Sequence, residues 1–458
     1  MVMVSRSFAF IGAAALASTA VIVQASPLQC DPYTPVNISV RLTPSHPAYG
    51  GEVKQCVHPI IPEDPNKVKA ESLTPQGQVY RKLMSMEDST SSDIQDLETY
   101  FGSKMEVNFQ TLKRQYMSGT APTTPWASSY WPTFQDGINH VWKSGEACPA
   151  EKYAKAYGLN VIEFKNKVSS KNGVDSLNRN TACKGDTDCT SRKDGSVCAK
   201  RDGMSTGYCI PTWFGICHAW APAAILEPEP QCDVTKNGVT FHVMDIKGLV
   251  TTVYDGAAIP TVFTGARFNG PDSPANTDQY GRYNNPARRD LGAGYFHIAI
   301  ANIMGKQKRS FVVDVTAGAE VWNQPVRSYQ VKNMDIVNTT MASLKYFGTF
   351  RYPFNDKMVR LAYVKTTFSW ISESYNDGPL VSTGQINSFT ESKDYEYLLE
   401  LDANNNIIGG EWVGQSKQDH PDFLWFPTSK PAANTVTDVG LSYANVQELL
   451  QLSQSCSA

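Results

Sequence analysis

The sequence predicts an α+β fold with a cysteine at the start of a central helix. Three observations support this class. Apolar residues recur at helical spacing between residues 94 and 116. Cys217 follows Gly215 at a point where the backbone can turn sharply into a helix. Residues 359–371 and 395–401 alternate apolar with polar side chains, as half-buried strands do.

The first residues have the pattern of a secretory signal. Arg6 precedes an apolar run over residues 8–23 that ends in small residues, so we predict a cleaved signal peptide at 1–25. The run is short for a membrane anchor, and no later segment approaches the length of a span. We therefore expect a secreted, extracellular protein. A formal net charge of −3 gives no basic field, which argues against a nucleic-acid partner.

Three regions are expected after the signal. Residues 26–145 hold a Pro-rich arm, which a Cys30–Cys56 bridge would tie down, and then a helical and aromatic part. One long amphipathic helix is predicted to start at a capping box at Ser92 and to reach Tyr116. The aromatic block at 125–139 either lines a cleft or packs between domains. Residues 146–345 form a disulfide-stapled lobe and a catalytic core, and residues 346–458 are rich in strands.

The chain has ten cysteines, which export would commit largely to disulfides. A free Cys217 leaves nine, so a second thiol should be free or paired outside the chain, and Cys456 is the expected one. Four cysteines in a polar, Gly-rich stretch predict a small stapled lobe: Cys183, Cys189, Cys198 and Cys209. Zinc is disfavoured there because no Cys-x-x-Cys pair or histidine lies among them.

Cys217 is the candidate nucleophile. A thiol attacks a carbonyl as thiolate, and a helix N-terminus or an imidazolium lowers its pKa. The alternative is a half-cystine or a small buried side chain. His297 and Asp314 are unusual polar residues in β-prone apolar runs. We predict that His297 is the base and that Asp314 orients it. His218 is the poorer base, because adjacent helical side chains diverge by about 100°.

The oxyanion donors and the neighbouring elements follow from the same segment. The backbone N–H of Cys217 is one expected donor, and the indole of Trp213 is a second. Pro222 predicts a kink or a later helix start. Strands are expected at 239–243 and 249–253, followed by a long Gly/Pro/Asn-rich loop at 268–291 that is typical of a lid or a flexible excursion.

The last region contains a predicted hairpin. Residues 402–406 should form the turn between the strand at 395–401 and a strand at 407–413. Asp402 and the asparagines after it are spaced somewhat like the ligands of a calcium loop. Ile407 and Val413 stand where that loop needs glycine and glutamate, so a hairpin is favoured.

Two patterns resemble a known family. The order of Cys217, His297 and Asp314 resembles papain-like and transglutaminase cores, in which the cysteine opens a helix and the other two lie on neighbouring strands. The segment Trp-Asn-Gln-Pro-Val-Arg at 322–327 resembles the elicitor peptide of the secreted cell-wall transglutaminases of oomycete plant pathogens. The resemblance covers roughly residues 75 to 430. Ser328, Tyr329 and Gln330 depart from the glycine, phenylalanine and lysine usual there, which leaves elicitor potency open.

The resemblance implies a protein-glutamine γ-glutamyltransferase that joins a glutamine donor to a lysine acceptor. It also implies stimulation by calcium, no organic cofactor, a cell-wall location, and sensing of peptide 321–333 by a plant immune receptor. Trp322 and Pro325 should matter most for that recognition. Two alternatives remain open at this point: a secreted papain-like cysteine protease and a non-enzymatic cell-wall elicitor protein.

Overall fold

The computed structural model describes residues 40–51 and 88–456. The predicted signal peptide and the predicted Cys30–Cys56 bridge lie outside these residues. Within them, no helix has the length and apolar character needed to cross a bilayer. The α-helices are α1 (Asp88–Phe101), α2 (Phe109–Gln115), α3 (Pro149–Ala156), α4 (Val161–Asn172), α5 (Cys217–Leu226), α6 (Val243–Gly256), α7 (Ala293–Ile300), α8 (Thr339–Phe347) and α9 (Tyr443–Gln454).

The strands lie between these helices in no regular alternation. They are β1 (Val40–Arg41), β2 (Ser118–Thr120), β3 (Ala182–Cys183), β4 (Ser196–Ala199), β5 (Gly207–Pro211), β6 (Val234–Lys236), β7 (Val239–Phe241), β8 (Pro260–Gly265), β9 (Val312–Asp314), β10 (Asn323–Val337), β11 (Arg360–Ile371), β12 (Thr390–Leu401), β13 (Ile407–Trp412) and β14 (Phe423–Pro427).

A nine-stranded antiparallel sheet organises the described residues. Its order is β1-β8-β14-β9-β10-β11-β12-β13, and β2 also pairs with β10. One apolar cluster contains α5, α6 and α9, and a second contains α7 and the inner faces of β10 to β13. Residues on both sides of the predicted boundary at 345/346 contribute strands to this sheet. The division of the chain into three regions stays a prediction.

The hairpin of β12 and β13 is confirmed. A carboxylate oxygen of Asp402 accepts the backbone N–H groups of Asn404 and Asn406, each at 2.8 Å, and Asn405 takes a left-handed conformation with φ of 64°. The carboxylate of Asp402 therefore stabilises the turn of the hairpin. The calcium-loop alternative has no support from this geometry.

Three helix and strand assignments are wrong. The single helix predicted from Ser92 to Tyr116 is two helices, since α1 begins at Asp88 and Asn108 caps α2 by accepting from Gln110 and Thr111. Residues 249–253 lie inside α6, and the run around His297 is α7, not a strand. Short apolar runs fit either structure, and packing on both sides decides between them. Helix α5 starts at Cys217 with Pro222 inside it, so the later start is wrong and the kink stays a prediction.

The disulfide lobe is confirmed, with bridges Cys183–Cys198 and Cys189–Cys209 across the small sheet β3-β5-β4. Cys456 is not the free thiol that the cysteine count predicts, because it is bonded to Cys232. Within the described residues the free thiols are Cys217 and Cys148, and Cys148 is buried just before α3.

Candidate active site

Cys217 occupies the first turn of α5, where the free N–H groups and the helix dipole favour a negative charge. The loop before it is held by the aromatic block, since the backbone N–H of Ile216 donates to the carbonyl of Tyr130 at 2.8 Å. A Cβ on Gly215 would lie 2.6 Å from the Tyr130 ring, so only glycine fits. The block thus packs under the nucleophile loop and also borders the site.

Asn323, the first residue of β10, contacts the thiol. Its side-chain Nδ2 lies 3.3 Å from Sγ of Cys217, and its Oδ1 accepts from the indole N–H of Trp425 at 2.8 Å. The Trp425 contact can be made only by the amide oxygen, so the NH₂ group must face the sulfur. Sγ also lies 3.7 Å from the carbonyl oxygen of Val321. The segment 321–323 therefore forms one wall of the site.

The thiol is fully buried in this state. Burial raises the pKa of Cys217 to about 12, against the lowering effect of the hydrogen bond from Asn323. The carboxyl groups of Glu373 and Asp314 raise it further. Burial therefore favours the protonated thiol in this state.

The hydrogen bonds of His297 do not include the thiol of Cys217. Its Nδ1 is hydrogen-bonded to the hydroxyl of Tyr397 at 2.8 Å, and Nε2 is buried without a partner among the described residues. Burial lowers the pKa of His297 to about 3. Helix α7 packs against β12 and β13, whereas α5 packs against α6 and β10. Among the described residues no hydrogen bond joins His297 to Cys217 or Asp314, so the triad stays a prediction that these contacts do not support.

Asp314 is near the site but works through the main chain. Its Oδ1 accepts the backbone N–H of Trp322 at 3.0 Å and both donors of Thr316. Burial raises the pKa of Asp314 to about 7, although the Trp322 N–H opposes this. The strand position was predicted correctly. Asp314 binds the turn into β10 through the N–H of Trp322, between Val321 and Asn323, and not an imidazole.

His218 is the imidazole beside the thiol. Its Nε2 is 2.8 Å from Oδ1 of Asp255 at the end of α6, and both side chains are buried. Its Nδ1 accepts the backbone N–H of Gly50 at 2.8 Å. A Cβ added to Gly50 would lie 3.1 Å from Sγ of Cys217 and 3.2 Å from this Nδ1. The thiol and the imidazole therefore face the same small space, with Gly50 between them.

Trp213 stays an untested candidate for the second oxyanion donor. Its ring packs edge-on against Phe214, with centroids 4.4 Å apart. Among the described residues, the indole has no hydrogen bond that places it at the thiol.

One cluster of described acidic groups, around His242, does not suit calcium. Donor atoms of Asp233, His242 and Asp377 lie within 4.8 Å of one another. His242 bonds to Asp233 at 2.7 Å and to Glu146, and the ammonium of Lys143 lies 3.1 Å from its Nε2. Calcium prefers six to eight oxygen ligands and no cation nearby. Calcium stimulation stays an expectation, and no step depends on it.

Comparison with known proteins decides the family. The family model described as transglutaminase elicitor matches residues 93–456. The chain belongs to this family. Among solved structures, the GP42 transglutaminase from Phytophthora sojae is 52% identical, with a TM-score of 0.72, and the match covers 80% of this chain and 98% of that chain. None of the curated proteins compared with the chain matches it significantly.

Membership in the transglutaminase elicitor family has two consequences. The chain is a transglutaminase, so the non-enzymatic alternative is excluded. The family name suggests an extracellular protein, in agreement with the predicted export. Residues 40–51, which reach the thiol through Gly50, lie outside the region that the family model matches.

Sequence reasoning missed Asn323 and the pairing of His218 with Asp255. Asn323 stands inside the motif used for recognition, yet its amide is defined by Trp425, which lies 102 residues away. Asp255 lies 37 residues beyond His218, at the end of a helix that was predicted as a strand. The one local signal was a histidine next to the candidate nucleophile.

Proposed function

We propose that the protein is a secreted protein-glutamine γ-glutamyltransferase that uses Cys217 as its nucleophile. The thiolate attacks the carboxamide carbon of a protein glutamine, the C–N bond breaks, and ammonia leaves a thioester on Cys217. A lysine amine then attacks the thioester, the C–S bond breaks, and an isopeptide bond forms. The position of Cys217 at the N-terminus of α5, against Asn323, carries this proposal.

His218 is proposed as the general base and acid in place of His297. Asp255 accepts the Nε2 proton, which leaves Nδ1 as the acceptor that faces the thiol side. Nδ1 takes the proton of Cys217, gives it to the departing ammonia, and later takes the proton of the attacking amine. The hydrogen bond from Gly50 already uses Nδ1 as an acceptor, which agrees with this tautomer.

Asn323 is proposed as a donor to the oxyanion. Its NH₂ group lies against the sulfur, and its orientation is held by Trp425. A donor that is fixed before reaction stabilises the developing charge without reorganisation. The backbone N–H of Cys217 is the second donor, and Trp213 remains a further candidate.

The segment 321–333 is proposed to be sensed by a plant immune receptor, as the family resemblance implies. Its first residues frame the thiol, and Asn323, Pro325 and Val326 are buried in β10. Trp322 is half-buried, with its indole N–H on Glu320 at 3.0 Å. The same residues would therefore serve catalysis and recognition. Cell-wall association belongs to the same proposal.

The test is incorporation of a fluorescent primary amine into casein by the purified chain. Cys217→Ala should lose this activity by several orders of magnitude, because the nucleophile is gone. Cys148→Ala is the matched control, since Cys148 is also a free, buried thiol. Release of casein peptides without amine incorporation would favour the cysteine-protease alternative. Equal activity in both variants would move the nucleophile elsewhere.

A further inference from the structure

Residues 40–51 form an arm that crosses the active site. The arm pairs through β1 with β8 at the edge of the large sheet and turns at His46. It then passes over the thiol at Gly50, 167 positions before Cys217 in the chain. A segment so distant in sequence needs specific contacts to stay in place.

The arm uses the groups that the proposed chemistry needs. The backbone N–H of Gly50 donates to Nδ1 of His218, and its carbonyl accepts the N–H of Gly215 at 2.8 Å. The carbonyl oxygen of Ala48 accepts from Nδ2 of Asn323 at 2.8 Å, on the same amide nitrogen that contacts the sulfur. The carbonyl of Ala48 thus uses the Asn323 donor that the substrate oxygen would need. The N–H of Gly50 uses Nδ1 of His218, the proposed base.

Charged and aromatic contacts anchor the arm on both sides of the thiol. Arg267, which is 8% exposed, donates to the carbonyls of Pro47, Tyr49 and Gly51 at 3.2, 2.9 and 2.9 Å. The ring of Tyr49 lies on His218, with centroids 4.6 Å apart. One buried guanidinium thus holds the carbonyls of three alternate residues of the arm, whose backbone turns at 43–46, 46–49 and 49–51.

Glycine is needed where the arm passes the thiol. A Cβ at Gly50 would lie 2.4 Å from the carbonyl oxygen of Gly215, too close for any side chain. A Cβ at Gly51 would meet the Tyr49 ring at 3.4 Å, which is ordinary contact. Neither residue has a positive φ, so alanine is strained at neither position by its backbone.

We propose that the groove over Cys217 is a peptide-binding site and that residues 46–51 occupy it as an internal inhibitor. The groove takes a turned backbone with glycine at the thiol and a carbonyl on Asn323. While the arm is docked, substrate reaches neither Asn323 nor Nδ1 of His218, so only the chains with a displaced arm turn over substrate. Displacement or cleavage of the arm exposes the site. This rests on the proposed function in that Cys217 is taken as the nucleophile.

The experiment compares Gly50→Ala with Gly51→Ala in the full chain. The rate of alkylation of Cys217 by iodoacetamide is read by peptide mass spectrometry, with the buried thiol of Cys148 as an internal reference. Gly50→Ala should raise the Cys217 rate by at least about tenfold, because it raises the fraction of chains with an open site. Gly51→Ala should match the unaltered chain, and a synthetic peptide of residues 44–53 should reverse the gain.

The proposal is overturned if the three proteins label equally at Cys217. It is also overturned if Cys148 labels in step with Cys217, or if the peptide does not protect the thiol. Amine incorporation is measured on the same samples. If Gly50→Ala labels faster at Cys217 but gains no transamidation, the proposal of an internal inhibitor is supported and the proposed function is refuted.

Discussion

Asn323 places an amide N–H group against the thiol of Cys217. Asn323→Asp keeps the shape and replaces this donor with a carboxylate. We expect kcat for amine incorporation to fall by about 10²–10³-fold, as when an oxyanion donor is lost. The control is Asn333→Asp, the same change at an exposed position of β10. Unchanged kcat in Asn323→Asp would remove Asn323 from the mechanism.

The two histidines provide a second contrast at the residue scale. His218→Gln should lower kcat by about 10²–10⁴-fold, the range expected for loss of a general base. His297→Gln should keep kcat within a few fold, because His297 contacts Tyr397 and not the thiol. Steady-state kinetics on proteins with matched melting temperatures decide between them. The reverse pattern would restore His297 as the base.

At the scale of the element, β10 carries both the elicitor motif and a wall of the site. Trp322→Ala removes the ring contact with Tyr130, at 5.3 Å between centroids, and loosens the turn that Asp314 holds. We expect amine incorporation to fall several-fold and stability to fall by about 1–2 kcal/mol. Arg327→Ala should cost the enzyme little, since its guanidinium bonds Asn387 and Thr390 away from the thiol.

Defence induction in plant cells is measured on the same two proteins. If the motif serves both functions, Trp322→Ala lowers both readouts and Arg327→Ala lowers recognition alone or neither. Full transamidase activity and normal stability in Trp322→Ala would separate the motif from catalysis.

Docking of the arm is expected to depend on pH. Nδ1 of His46 accepts the backbone N–H of Ala48, and burial together with the neighbouring His218 lowers the pKa of His46 to about 3. A released arm would have an ordinary histidine pKa near 6.5. Docking is therefore strongest above about pH 6.5. It weakens as the pH falls toward 3, by at most about 1.4 kcal/mol per pH unit, because the released arm binds the proton.

Labelling of Cys217 with 2,2′-dipyridyl disulfide, which reacts in acid, measures this effect. The ratio of the Gly50→Ala rate to the rate of the unaltered chain cancels the titration of the thiol itself. We expect the ratio to fall toward one as the pH is lowered from 6.5. A ratio that is constant with pH would show that His46 does not control docking.

Across the whole molecule, the sequence was most informative where local chemistry decides the structure. The helix at Cys217, the strand at Asp314, the β12–β13 hairpin and the lobe of Cys183 to Cys209 each follow from glycine, alternation or clustered cysteines. His297 was misplaced because a histidine in an apolar run satisfies helix and strand patterns equally. The elements that pack around such a run then decide which side chains the histidine contacts, here Tyr397.

The groups around the thiol could not be found from local pattern. Asn323 reaches Cys217 across 106 positions, and Gly50 reaches His218 across 168. The arm is Pro-rich and aperiodic, so nothing in its own sequence specifies what it covers. Contacts of this range are set by the assembled fold, which packs β10 against α5 and pairs β1 with β8.

The central claim is that Cys217 forms an acyl intermediate with a glutamine side chain, with help from His218. Intact mass spectrometry tests it most directly, using Gly50→Ala as the background and a blocked glutamine peptide without an amine acceptor. We predict an adduct on Cys217 with the mass of the peptide less one ammonia, present also with His297→Gln and lost with His218→Gln. An adduct that survives His218→Gln, or that disappears with His297→Gln, would contradict the account.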